Sequence, residues 1–466
     1  MEATGAVTET EGDDTPAHGA PRPFPLLVGI IAAVALAIRL TYAIVWRFDE
    51  GLVYDGPVYV GRARFLREGL GFIDPDAWFF HRKVTEGAIH PPGNTLLLAL
   101  GQQVGLTTAH QQQLLGCFVG TATVVLIAVL GRRLAGRRVG LVAAAIAAVH
   151  PGFWSFDPSA MAETPGQLIT VVVLLLAYRF WDEPGIVRAA WLGGAAAMAA
   201  LVRSELILLI PLLVVPLCLV APGTNREAAR RIGAALLWCT MVLGPWVGWN
   251  LVRFEHPVTL ATGIDVSLAY AQCDEVWYGP NTGYWNLFCA ERINQAHLSA
   301  MEDESEIGRL YREQAGAYIA AHRGRWPVVL AARAARTLSV YPPATQIAAE
   351  DERESRERPV LWAATIATWA GYALALVAFL RPPRSRRHLL PLLAPLAAGV
   401  AGAVITFGTS RYRSAGEVGL VVLAAIGVDA LATTWNARRS ARPAEPSMNE
   451  GTTSWPTTST TSTTTP

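Results

Sequence analysis

Charge is scarce in this chain. Only 16 % of its 466 residues are Asp, Glu, Lys or Arg, against 52 % hydrophobic, and that balance excludes a string of ordinary soluble domains. What charge there is nearly cancels, to a formal +1, so the net balance names no nucleic-acid partner. In so apolar a chain the placement of the basic residues carries the information instead. Nine His and five Cys form neither a CxxC nor an HExxH arrangement, which argues against a dedicated structural metal. Residues 1–23 lack both the charged start of a cleaved signal peptide and the apolar surface needed to fold, and are expected to form a disordered cytoplasmic tail.

What is present is a series of long hydrophobic runs. The fold class expected is an all-α polytopic membrane protein with about ten transmembrane helices, plus re-entrant or surface helices and a mixed extracytoplasmic segment. Phe24 to Trp46 is long enough to cross ~30 Å of hydrocarbon, interrupted only by Arg39, which either snorkels to an interface or is buried in the bundle. A first outer loop, 47–92, ends at His90-Pro91-Pro92-Gly93, and Asn94 to Leu106 is apolar but too short to cross. Leu114–Leu130, Val139–Val149, Thr164–Trp181, Ala189–Val202, Leu206–Val220 and Ile232–Val252 then alternate across the membrane. The turn with Arg132, Arg133, Arg137 and Arg138, and the Arg226, Arg230 and Arg231 loop, belong on the cytoplasmic side.

Residues 24–252 are thus read as an N-terminal transmembrane catalytic region and 253–358 as an extracytoplasmic segment. Cys273 and Cys289 are the two cysteines outside apolar spans, and an exported position predicts a disulfide between them. Pro327–Val340, with Arg333 and Arg336, reads as a surface helix, since a crossing there would invert the charge bias that follows. Residues 359–435 form the C-terminal transmembrane helices, with Arg411 and Arg413 in a short outer turn against the charge rule, and 436–466 are a Thr/Ser-rich tail expected to be disordered. Both termini are placed in the cytoplasm, and the cytoplasmic membrane is the expected location.

The stretch Tyr54-Asp55-Gly56-Pro57-Val58-Tyr59 follows the first span, with Arg62 and Arg64 on the turns behind it. Asp before Gly-Pro is also a common turn and helix-cap signal. Topology nonetheless gathers Asp55, Tyr59, Arg62, Arg64, His90, Glu163, Arg203, Glu205, Arg411, Tyr412 and Arg413 at the outer face. A carboxylate there can serve as base to an acceptor hydroxyl while cations hold a lipid phosphate that leaves without a protonating acid. Asp55 is the expected base and the arginines the phosphate clamp, while Glu163, near the outer end of its span, is expected to face water or a partner and to serve the site. For Arg203 and Glu205 a structural ion pair is the competing expectation. Asp49, Glu50, Asp55 and His90 could bind a divalent ion but have no diagnostic spacing, which leaves metal dependence open.

Taken in order, Asp55-x3-Tyr59, the basic helix to Glu68-Gly69, His90-Pro91-Pro92-Gly93, Glu163 at the start of a span, Arg203-Ser204-Glu205, Trp249 to Phe254 with Pro257-Val258, and Arg411-Tyr412-Arg413 with Glu417 resemble the glycosyltransferase C superfamily over residues 26–435. The branch they look most like is that of bacterial enzymes similar to protein O-mannosyltransferases and lipid A aminoarabinose transferases. The resemblance implies transfer of a sugar from a polyprenyl-phosphate donor to a glycan, lipid or protein acceptor at the outer face of the bilayer. Asp55 then matches the catalytic acidic position, Glu163 a second acidic position, and Arg411 and Arg413 a lipid-phosphate-binding region. The chain departs from the pattern where many relatives carry Asp-Glu, since Asp55 is followed by Gly56. Its exported segment also differs from the soluble domains that better-known members use to choose acceptors.

Two other classes fit a polytopic chain with charged groups. A transporter or lipid flippase would line a pathway near the midplane with its charges, whereas these cluster at one face and no inverted repeat of broken helices is visible. A scaffold that binds a polyprenyl lipid would keep its cellular activity on Asp55→Asn.

Overall fold

Hydrocarbon leaves no partner for a free backbone amide, so apolar runs of this length form helices. The computed structural model describes residues 23–298 and 303–440. Among these the chain is almost entirely helical, with one isolated antiparallel bridge between Ile73 and Glu86. Of the tails expected at 1–23 and 436–466, residues 1–22 and 441–466 lie outside the described residues, while 436–440 belong to the last helix, which runs on to Ser440.

Among the described residues, seven helices are long and apolar enough to cross a membrane: Phe24–Arg47, Ala109–Ala135, Glu163–Asp182, Asn225–Arg253, Arg358–Leu380, Arg386–Ile405 and Ser410–Ser440. Arg137–Val149 and Pro151–Ser159, bent by 57° at their junction, make an eighth if counted together. The expected ten are not all reached by length. Ile186–Val202 and Ser204–Val220 are apolar but short, and Pro211 and Pro216 withhold backbone donors so that the latter run breaks into 3-10, π and α turns.

Small residues let the helices approach closely. Ala143, Ala144 and Ala147 are wholly buried, and a Cβ on Gly131 would lie 3.0 Å from the Gly140 Cα across the helix pair. Every residue from Ser414 to Gly427 is buried, which makes the last helix the centre of the bundle and sets the Ser410–Arg413 turn at its end. Arg39 proves to be a bundle residue rather than a snorkelling one. Its Nε sits 2.6 Å from Asp157 Oδ2, both side chains wholly buried, and the Thr164 hydroxyl donates to the other Asp157 oxygen at 2.8 Å. These two buried charges thus offset each other.

Between Arg253 and Arg358 short helices form a cap, within which Cys273 and Cys289 are joined in a disulfide. The Trp326–Thr337 helix has only 12 residues and does not span. Its arginines, however, do not face solvent as a surface helix would have them. Arg333 and Arg336 are buried and donate to carbonyls of Ala271 and Val404, at 3.0 and 3.1 Å, and of Thr282, at 2.7 Å. They tie the cap to its own loops and to the end of the Arg386–Ile405 span.

Candidate functional site

The candidate groups sit at the ends of helices, where the chain is free to turn. Asp55 precedes the Gly56–Arg67 helix, His90 the Pro92–Gln103 helix, and Glu163 opens the Glu163–Asp182 span. Arg203 follows the Ile186–Val202 helix. These last two placements suit the helix dipole, an acid at an N-terminus and a cation at a C-terminus. Arg411 does not: it lies at the N-terminal end of the central helix and needs carboxylates around it.

It has them. Arg411 Nη2 donates to Asp55 Oδ2 at 2.7 Å and its Nε to Glu163 Oε1 at 2.7 Å. The same Glu163 oxygen lies 2.8 Å from Arg203 Nη1, and Arg203 Nε donates to Glu205 Oε1 at 2.6 Å. The result is an alternating chain, Asp55, Arg411, Glu163, Arg203, Glu205. Glu163 is fully buried at its centre, whereas the Asp55 side chain keeps 30 % of its surface open. Asp55 stands at the cap position of its helix, in the turn that opens it, but makes no side-chain cap bond. Its other oxygen lies 3.6 Å from His90 Nε2, and the His90 ring stacks on Tyr59 with centroids 4.5 Å apart. Burial works against ionisation of Asp55, but the Arg411 guanidinium and His90 outweigh it and hold the carboxyl well below the usual range. Tyr412 lies under Arg203, 5.9 Å from guanidinium to ring centre, and its hydroxyl accepts from Thr406 at 3.0 Å.

Three expected members lie elsewhere. Arg62 is buried against Glu304 at 3.3 Å, and Glu304 also receives the Ala88 amide and the Thr262 hydroxyl at 2.7 Å each, so this pair joins the first loop to the cap. Arg64 is exposed and bonds Glu68 one turn on, at 2.7 Å. Arg413 points away from Arg411, because alternate residues of a tight turn face opposite sides, and it bonds Glu417 at 2.6 Å and the Thr337 carbonyl at 2.6 Å. Of the four groups weighed for a divalent ion, Asp55 and His90 meet, whereas Asp49 is exposed and Glu50 turns to Arg47. Among the described residues, Cys273, Glu275 and Cys289 bring three ligand atoms together, but both sulfurs are spent in the disulfide and offer no thiolate.

The missing second carboxylate beside Asp55 has a steric cause. A Cβ at Gly56 would stand 2.7 Å from the Ser159 carbonyl oxygen, and Tyr54, with φ of 57°, already holds the preceding backbone in a sparsely populated region. Gly56→Glu is therefore expected to fail to restore an Asp-Glu pair, giving protein that elutes as aggregate in size-exclusion chromatography where wild type is monodisperse.

Sequence reasoning missed Glu350 and Glu354, which sit in a charge run that reads as a solvated helix face but are buried. Only their four-residue spacing on the Pro343–Glu354 helix hinted at a shared side. Burial and the neighbouring Glu350 carboxylate push Glu354 up to about 8 from its ordinary 4.5. The folded chain thus holds a proton that the unfolded chain releases between those values, so this stability is complete below the lower and lost as pH rises to the upper. Glu354→Gln is expected to flatten that decline and melt higher than wild type at pH 8, by on the order of a few kcal/mol, as thermal unfolding across pH 5–9 would show.

Residues 89–249 match a family model described as dolichyl-phosphate-mannose-protein mannosyltransferase, a stretch that includes His90, Glu163, Arg203 and Glu205. No curated protein matches the chain in sequence. Among solved structures it is similar to the archaeal oligosaccharyltransferase AglB from Archaeoglobus fulgidus, in complex with an inhibitory peptide and a dolichol-phosphate, at 12 % identity and a TM-score of 0.55, covering 91 % of this chain and 52 % of that one. The A. fulgidus enzyme tethered to an acceptor peptide gives 13 % identity and 0.55, over 90 % and 51 %. ArnT from Cupriavidus metallidurans bound to undecaprenyl phosphate gives 13 % and 0.40, over 89 % and 79 %. The chain spans about half the length of the oligosaccharyltransferase chains, and at such identity the likeness is one of fold. The family match and the shared fold together bear out the resemblance of this polytopic membrane chain to the glycosyltransferase C superfamily.

Proposed function

We propose that the chain is a membrane glycosyltransferase that moves a sugar from a polyprenyl-phosphate-linked donor to an acceptor at the extracytoplasmic face of the cytoplasmic membrane. The observation that carries this reading is Arg411 joining a part-exposed carboxylate, Asp55, to a buried one, Glu163. Such a site has a base open to an acceptor and a cation beside it for a phosphate.

Asp55 takes the proton of an acceptor hydroxyl as its oxygen bonds to the anomeric carbon. The carbon–oxygen bond to phosphate breaks, and the polyprenyl phosphate leaves with the electron pair. Arg411 meets the charge that develops on the leaving group. Glu163, with no open surface, is assigned to holding Arg411 and Arg203 rather than to proton transfer. His90 orients Asp55 from its other oxygen, and Tyr59 supports the His90 ring by stacking on it. In this reading residues 24–252 are the catalytic region, 253–358 an extracytoplasmic cap and 359–435 the helices that bring Arg411, with both termini cytoplasmic. A resident divalent ion has no assigned ligand set, and the sugar and acceptor are left to assay.

The test is transfer from a panel of radiolabelled polyprenyl-phosphate sugars into washed membranes holding wild type or Arg411→Ala at matched expression. Label moved by wild type and lost in the variant is the expected result. Consumption of no donor, or equal transfer by Arg411→Ala, sinks the reading.

A further inference from the structure

A cation that must meet a phosphate is useful only if its backbone is held still, and Arg411 sits on a four-residue turn that follows the Arg386–Ile405 span after a short irregular stretch. The two residues just before it, Thr409 and Ser410, are gripped from the cap. Glu350, buried to 1 % exposure, accepts from the Ser410 backbone N–H at 3.0 Å, from the Ser410 hydroxyl at 2.8 Å and from the Thr409 hydroxyl at 3.1 Å. Gln346, one turn back on the same helix, donates to the carboxylate at 2.9 Å, and Arg356 stands 3.6 Å away. Two of these bonds fall on the residue just before Arg411, one on its main chain.

We propose that Glu350 is the positioning residue of Arg411: by holding Thr409 and Ser410 from the extracytoplasmic cap, it sets the direction in which the Arg411 guanidinium leaves the turn. The proposal rests on the reading of Arg411 as the lipid-phosphate cation and extends it, because it makes the 253–358 segment part of the donor site. A buried carboxylate with three donors on one turn is a strong, directional restraint, since charge-assisted bonds exceed neutral ones. Without it the turn has several backbone solutions, and Arg411 spends only part of its time facing Asp55 and Glu163.

The test is equilibrium binding of radiolabelled undecaprenyl phosphate to the purified full chain in a double-mutant cycle of Glu350→Ala and Arg411→Ala. Glu350→Ala is expected to weaken binding about tenfold in the wild-type background and to add nothing to Arg411→Ala. Losses that multiply, or binding by Glu350→Ala equal to wild type, overturn the proposal. Should Glu350→Ala not fold, Ser410→Ala removes one of the three bonds and is held to the same cycle with a smaller loss. If Arg411→Ala itself binds as wild type, the phosphate-clamp reading falls, and hydrogen exchange still decides the positioning: faster exchange confined to the 409–413 segment in the Glu350 or Ser410 variant supports it, and unchanged protection there overturns it.

Discussion

Asp55→Asn is expected to abolish transfer and to tighten, not weaken, the binding of the lipid phosphate. An amide cannot take a proton from the acceptor hydroxyl, and loss of a general base costs roughly 10²–10⁴ in rate. Binding goes the other way because Asp55 and a phosphate compete for the same cation. Arg411 has two acidic partners in the structure, Asp55 at 2.7 Å with 30 % of its side chain open and Glu163 at 2.7 Å with none. The open one is the partner a phosphate can replace. Removing its charge removes the competitor, while Glu163 still anchors the guanidinium. Single-turnover transfer and equilibrium binding of undecaprenyl phosphate, measured on the same preparation, separate the two effects. Lost transfer with weakened binding would mean that Asp55 helps hold the donor; retained transfer would dismiss it as the base. The same geometry fixes the pH behaviour. With its carboxyl held well below the usual range by Arg411 and His90 in the donor-free site, Asp55 is charged there through the mildly acidic range, so any fall in donor binding near pH 5–6 belongs to another group.

The span pattern was legible because hydrocarbon imposes one rule on every segment: twenty or so apolar residues make a helix. That is why Ala109–Ala135 and Arg358–Leu380 appear where their runs do. The rule is silent on short runs, and Ser204–Val220, with two prolines, breaks into mixed turns instead of a single span. Topology likewise brought Asp55, His90, Glu163, Arg203, Glu205 and Arg411 to one end, since each closes or opens a helix there. It could not tell Arg411 from Arg413 or Asp55 from a cap, because both distinctions depend on which way a side chain leaves a turn. Arg62 and Arg64 were grouped with the site for their charge, yet one is matched to Glu304, some 240 residues away in sequence, and the other to its helix neighbour Glu68. Glu350 was invisible for the opposite reason: a carboxylate in a charged run advertises solvent, and only the packing of the cap onto the bundle buries it.

Glu163→Gln is the variant expected to cost the fold most. Glu163 accepts from Arg411 and lies against Arg203 through one oxygen, and all of this sits at the head of a helix the bundle buries. Breaking a buried pair by removing one partner costs ~3–5 kcal/mol, because the charge left behind has lost both water and its counter-ion. Here two cations are left together, each with a single remaining acid, Asp55 for Arg411 and Glu205 for Arg203. The first of those pairings has a functional consequence, since Glu163 is the anchor that keeps the guanidinium in place when a phosphate displaces Asp55, and without it Arg411 is no longer aimed at the phosphate. Glu163→Gln is therefore expected to melt well below wild type and, in the fraction still folded, to bind undecaprenyl phosphate more weakly. Adding Arg203→Met takes away one of the crowded charges and is expected to recover part of the melting temperature without recovering transfer. Tryptophan-fluorescence melting of the single and double variants beside wild type measures this directly. A Glu163→Gln protein as stable as wild type would show that the two guanidinium groups do not depend on this carboxylate, and the central place given to Glu163 would pass to Asp55 and Glu205.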